Sequence, residues 1–104
     1  MAWLQDAWLK LKAETALNEM TVMHLIENTD PCRIRLLWPR LKHEADTRAS
    51  LEEALSSLKA VRSFSINPVT GSVTVYYALS ALDPASLPGL MLKKARERYL
   101  AQGH

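Results

Sequence analysis

His24, Cys32, Arg33, Arg35 and Arg40 are the residues of this chain whose types and spacing bear on chemistry. An imidazole and a thiolate together suit zinc, iron or haem iron. If residues 21–27 and 32–38 pair as a hairpin, His24 and Cys32 approach each other. Two donors leave such a site open, and a two-fold copy of the chain would double them. Cys32 also reads as a small packed hydrophobe and His24 as an ordinary strand residue. Arg33 and Arg35 alternate along one strand, so their guanidinium forks share a face. With Arg40 they form a basic stripe suited to carboxylates and phosphates: a protein partner, a haem propionate or an acidic lipid headgroup. The same stripe reads as a solvated face balanced by Glu44, Glu52 or Glu53. Met1, Met20, Met23 and Met91 could add thioether donors, but methionine ordinarily fills cores and interfaces. No Ser-His-Asp arrangement, glycine-rich phosphate loop or placed carboxylate pair is present, and no enzyme is expected.

The elements that must position these residues follow from pattern. Residues 2–20 read as an amphipathic helix with Leu4, Trp8, Leu11 and Thr15 on one stripe and Trp3 and Ala7 beside it. Gln5, Lys10, Lys12, Glu14 and Glu19 face water in this reading. The stripe suits packing onto the open sheet, self-association or contact with a membrane surface. Residues 21–27 fit helix or strand, with a strand from about Thr21 preferred. Asp30-Pro31 breaks the chain. Cys32 to Trp38 alternates as a strand, and Pro39 ends it. A helix capped by Asp46 or Thr47 runs to about Leu58, burying Leu51, Leu55 and Leu58. Residues 61–77 read as a hairpin about Asn67-Pro68-Val69-Thr70-Gly71. There Asn67 can bond nearby backbone, Pro68 fixes its φ and Gly71 can take a positive one. A last helix opens at Asp83-Pro84 or, because Pro88 and Gly89 weaken its middle, near Leu87.

This order predicts an α+β chain: a ferredoxin-like split βαβ sandwich, strand–helix–strand–strand–helix, in residues 21–104, preceded by the helix of residues 1–20. No strand follows the last helix. The slot beside the Cys32–Trp38 strand is either filled by residues 21–27 or left as an open edge that recruits partners.

At 104 residues there is material for one modest core, and 48% hydrophobic with 23% charged residues is ordinary for a globular domain. A formal net charge of +2 does not point to nucleic acid. Base stacking on Phe64 and Tyr76 would need an aromatic motif that is absent. One cysteine excludes an internal disulfide. With no apolar stretch of spanning length and no leader pattern, a cytoplasmic location is expected, membrane or compartment association staying open.

His24, the strand Pro31-Cys32-Arg33-Ile34-Arg35-Leu36-Leu37-Trp38-Pro39-Arg40-Leu41 and the hairpin with its Asn67-Pro68-Val69-Thr70-Gly71-Ser72 turn carry a resemblance. Over roughly residues 22–80 the chain resembles the heavy-metal-associated-like domain at the N-terminus of some P-type metal-transporting ATPases, in its arginine-rich subclass. The better-known branch binds soft metals through a Cys-x-x-Cys loop. Here that loop is residues 39–44 and holds no cysteine, and Cys32 stands where the subclass has glycine. The resemblance therefore implies a non-enzymatic metal-handling accessory domain, most directly for iron or haem, with His24 and Cys32 as candidate ligands. It implies partnership with a P-type ATPase or an iron-storage compartment, through docking or homo-oligomerisation. A self-association module without any ligand is the alternative.

Overall fold

Two antiparallel hairpins build one sheet in a computed structural model, which describes residues 18–82 and 87–103. The first pairs β1 (Thr21–Ile26) with β2 (Cys32–Leu37). The second pairs β3 (Val61–Asn67) with β4 (Ser72–Tyr77). β2 also pairs antiparallel with β4, so the sheet order is β1-β2-β4-β3. A 3-10 turn (Pro39–Lys42) and helix α1 (Ala45–Ser56) join the hairpins; α2 (Leu87–Ala101) follows the second.

Residues 21–27 thus resolve as strand. β1 takes the slot that a βαββαβ chain fills with its last strand, which makes the layout a permuted ferredoxin-like sandwich. Of the two alternatives for the slot beside β2, residues 21–27 fill it, and no open edge remains there. The outer strands are β1 and β3.

Both helices pack on one face. Ile34, Val73, Val75 and Tyr77 from the sheet meet Leu51, Ala54 and Leu55 from α1 and Ala95 from α2 in a single buried cluster. Alternation along β2 and β4 sends Ile34 and Val75 inward and Arg35 and Tyr76 outward, as a half-buried sheet requires. α1 begins at Ala45, one residue before the expected cap. Glu44 occupies the cap position without a side-chain cap bond, and Thr47 Oγ1 donates to Glu44 Oε1 at 2.8 Å. α2 starts at Leu87, the later of its two expected openings. Asn18 and Glu19 are helical. Trp3, Leu4, Trp8 and Leu11 lie outside the described residues.

The second hairpin turns as its residues dictate. Asn67 Oδ1 accepts from the amides of Val69 (3.0 Å) and Thr70 (3.4 Å), and Gly71 N donates to the Asn67 carbonyl at 2.9 Å. Gly71 has φ +75°. Its carbonyl accepts from Trp38 N at 2.7 Å, fastening the turn to the end of β2. A Cβ there would stand 2.9 Å from the Trp38 carbonyl oxygen and 3.3 Å from Pro39 Cα, both backbone atoms. Gly71→Ala combines that clash with the left-handed penalty of an L-residue, about 1–2 kcal/mol by itself. Urea unfolding should show a loss of at least about 2 kcal/mol, and an unchanged midpoint would refute this account of the turn.

Candidate functional site on the polar sheet face

The face of the sheet turned away from the described helices carries the polar chemistry. Its central pairs are Arg33 opposite Tyr76 and Arg35 opposite Thr74, with Ser63 and Ser65 beyond them on β3. On the other side His24 stands opposite Arg35, and Ile26 opposite Arg33.

A β-bulge decides where His24 goes. Thr21 pairs with Leu37 and Val22 with Leu36, but the next pair is His24 with Arg35, so Met23 is an extra residue. Val22 and Leu25 therefore both turn toward the helices, while Met23 is 47% exposed and His24 is exposed. Had the first register continued, His24 would stand opposite Ile34 and share the helix side with Cys32. One extra residue carries it to the opposite face.

The structure therefore does not bring His24 and Cys32 together. Cys32 is 4% exposed on the helix side. Its Sγ lies 3.5 Å from the Thr29 carbonyl oxygen and 3.7 Å from that of Glu27. Burial is the first cause pushing the thiol above its usual pKa, and the carboxylates of Glu27 and Asp30 add to it. A thiol held protonated is a poor metal ligand. Among the described residues no group of three or more His, Cys, Asp or Glu side chains could hold a metal ion.

His24 has a different neighbour. Arg33 Nη2 lies 3.1 Å from His24 Nδ1. A guanidinium only donates, so Nδ1 accepts and the neutral ring carries its proton on Nε2. Nδ1 is thereby occupied, and a metal at Nε2 would have to displace that proton. As placed, His24 orients an arginine. Arg33 Nε is buried without a hydrogen-bond partner among the described residues. Arg35 is exposed and enters no ion pair among them.

Arg40 parts company with the other two. It lies in the 3-10 turn, where Nε and Nη2 donate to the Glu19 carboxylate at 2.8 and 2.5 Å. Nη1 donates to Glu44 Oε2 at 3.1 Å. Glu19 also accepts from the Trp38 indole N–H at 3.1 Å. The residue expected to face water instead knots the chain before β1 to the end of β2. Sequence pattern hid this, because helix spacing does not reveal a partner some twenty positions away. Phe64 likewise packs against the core rather than the polar face, leaving Tyr76 without an aromatic companion for stacking bases among the described residues.

The hydrogen bonds from Arg40 and then Trp38 hold the Glu19 carboxyl at about 2, against an ordinary value of 4.5. A depressed folded value stabilises the fold fully above the unfolded value and loses that contribution as pH falls toward 2. The wild-type advantage in urea midpoint over Glu19→Gln should therefore be present at pH 6 and shrink between pH 4.5 and 2.5. A constant difference would show that ionisation of Glu19 contributes nothing.

Glu27 makes a second knot at the other end of β1. It accepts from Arg96 Nε at 2.6 Å and from the Tyr77 hydroxyl at 3.4 Å. Burial raises the Tyr77 phenol above its usual pKa, and Glu27 reinforces this. These groups fasten α2 to the sheet and leave the polar face untouched.

No helix among the described residues is long and apolar enough to cross a membrane. Comparison with curated proteins gives no match, and comparison with solved structures gives none either. One family description, heavy metal associated domain 2, matches residues 14–99, which spans every strand and nearly all of α2. That span includes the bulged β1, the arginine strand and the Asn67–Gly71 turn, and the chain belongs to the heavy metal associated domain 2 family.

Proposed function

We propose that the chain is a non-enzymatic accessory domain of metal handling, and that it acts by docking rather than by chelation. The observation that carries this reading is the contrast among the arginines. Arg40 is spent on Glu19 and Glu44, whereas Arg33 and Arg35 stand side by side on the face turned away from the described helices and enter no ion pair among the described residues. Two oriented guanidinium forks, with the hydroxyls of Thr74, Tyr76, Ser63 and Ser65 around them, suit the carboxylates of an acidic segment of a protein partner. Family membership supports the link to metal, and the resemblance of the arginine strand favours iron. By that resemblance the partner is a metal-transporting P-type ATPase or a component of an iron-storage compartment, met in the cytoplasm. His24 serves as the positioning neighbour of Arg33, and Cys32 as packing.

A hexaglutamate peptide titrated into the isotope-labelled chain tests the docking reading. Amide shifts should concentrate on residues 24, 33, 35, 74 and 76 and vanish in 0.5 M salt. Shifts confined to the lysines of α2, or none, would count against it. Self-association without a partner rests on the outer strands β1 and β3; it would instead give a concentration-dependent mass and shifts along those edges.

A further inference from the structure

The sheet carries a second bulge, and it acts on the same face as the first. On β3, Val61 pairs with Tyr77 but the next pair is Ser63 with Tyr76, so Arg62 is the extra residue. Val61 and Phe64 both pack against the core, while Arg62 and Ser63 between them are exposed. This repeats the pattern of Val22, Met23, His24 and Leu25 on β1. With both neighbours turned to the helix side, Arg62 and Ser63 stand together on the polar face. We propose that Arg62 is a third cation of the docking face, and that the partner's acidic segment crosses the sheet from Arg33 and Arg35 on β2, over Tyr76 on β4, to Arg62 on β3. This path rests on the docking reading above and adds the direction in which the segment lies.

Register sets the path. Arg33 stands opposite Tyr76, and Tyr76 opposite Ser63, so one row across the sheet runs Arg33, Tyr76, Ser63, with Arg62 at its end. Adjacent strands lie about 4.8 Å apart, which separates the backbones of Arg33 and Arg62 by about 10 Å. Arg33 and Arg35 are about 7 Å apart along β2. Three guanidiniums so spaced outreach one pair of neighbouring carboxylates and match a run of acidic residues. Tyr76 is 36% exposed midway along the row, where its hydroxyl can donate to a carboxylate lying between the arginines. Arg62 enters no ion pair among the described residues, so no described carboxylate has to be displaced. The opposite border differs. There the bulge of β1 presents Met23, which is uncharged and 47% exposed, and His24, which already accepts from Arg33. Attraction for an anion therefore extends from β2 toward β3 rather than toward β1.

Titration of hexaglutamate into the full chain and its Arg62→Gln variant tests this. Binding at low salt should weaken about tenfold, the loss of one charge-assisted contact, with the melting midpoint within a few degrees of wild type. Lys94→Gln removes the same charge from the exposed side of α2 and should change binding less than twofold. Arg62→Lys keeps the charge without the fork and should fall between wild type and Arg62→Gln. In the wild type the amides of residues 62 and 63 should shift together with those of 33, 35 and 76. Equal, small losses for Arg62→Gln and Lys94→Gln would overturn the role of Arg62; the docking reading would survive them if Arg33→Glu with Arg35→Glu still abolished binding. Wild-type binding that this double reversal does not weaken would remove the docking reading and the path with it. Shifts at residues 21–23 with none at 62 and 63 would place the segment across β1 and equally overturn the path.

Discussion

Trp38→Ala should lower folding stability by about 3–5 kcal/mol, the range for truncating a large buried aromatic. Trp38 is 1% exposed at the end of β2, where three parts of the chain converge. Its amide donates to Gly71 in the hairpin turn, its carbonyl accepts from Leu41 N at 2.9 Å, and its indole N–H donates to Glu19. Removing the ring opens a cavity beneath the 3-10 turn and strips one donor from the carboxylate that anchors the chain before β1. A domain of this size has about 5–15 kcal/mol in total, so the loss is a large share of it. At roughly 4–8 °C per kcal/mol, the melting midpoint should fall by at least about 12 °C. Trp38→Phe, which keeps most of the volume, should lose less than half as much. A Trp38→Ala midpoint within a few degrees of wild type would mean that this corner does not hold the hairpins together.

Arg33→Glu combined with Arg35→Glu should abolish binding of the acidic probe, at least about 100-fold, while changing the melting midpoint by only a few degrees. Each charge-assisted contact is worth about 1.5–3 kcal/mol, so losing two accounts for that factor before repulsion is counted. Neither side chain holds the core, since Arg33 bonds only His24 among the described residues and Arg35 is exposed. Arg33→Lys with Arg35→Lys keeps the charge and loses the fork, and should bind at an intermediate level. Full binding by the double glutamate variant would show that the face is a solvated surface.

The two results probe links that were unequally legible in the sequence. Asn67, Pro68 and Gly71 announced their turn because each acts through its own backbone, and the structure repeats that chemistry bond for bond. The alternation of Cys32, Ile34 and Leu36 against Arg33 and Arg35 likewise fixed which side of β2 was polar. β1 was harder. Residues 21–27 fitted helix or strand, with strand preferred, and the bulge at Met23 then breaks the period of two that a plain strand would keep. That one residue also separated His24 from Cys32, because a shift of one position exchanges the faces of a strand. Arg40 looked like a third member of the arginine row until Glu19 was found beside it, and that pairing joins elements about twenty residues apart. Local rules carried the turn and the strand faces. The contents of the candidate site depended on register and on long-range ion pairs, to which short spacing patterns are blind.

A photo-crosslinking side chain placed at Thr74, between the arginines and β3, tests the central claim most directly when the full chain is expressed in iron-supplemented cells of its source and adducts are identified by mass spectrometry. The account predicts a defined adduct with a metal-transport or iron-storage protein, joined through an acidic segment and lost when Arg33 and Arg35 are reversed. The same probe at Glu52, on the exposed side of α1, should yield no such adduct. Equal adducts from both positions, or an adduct from Thr74 that survives the reversal, would contradict it.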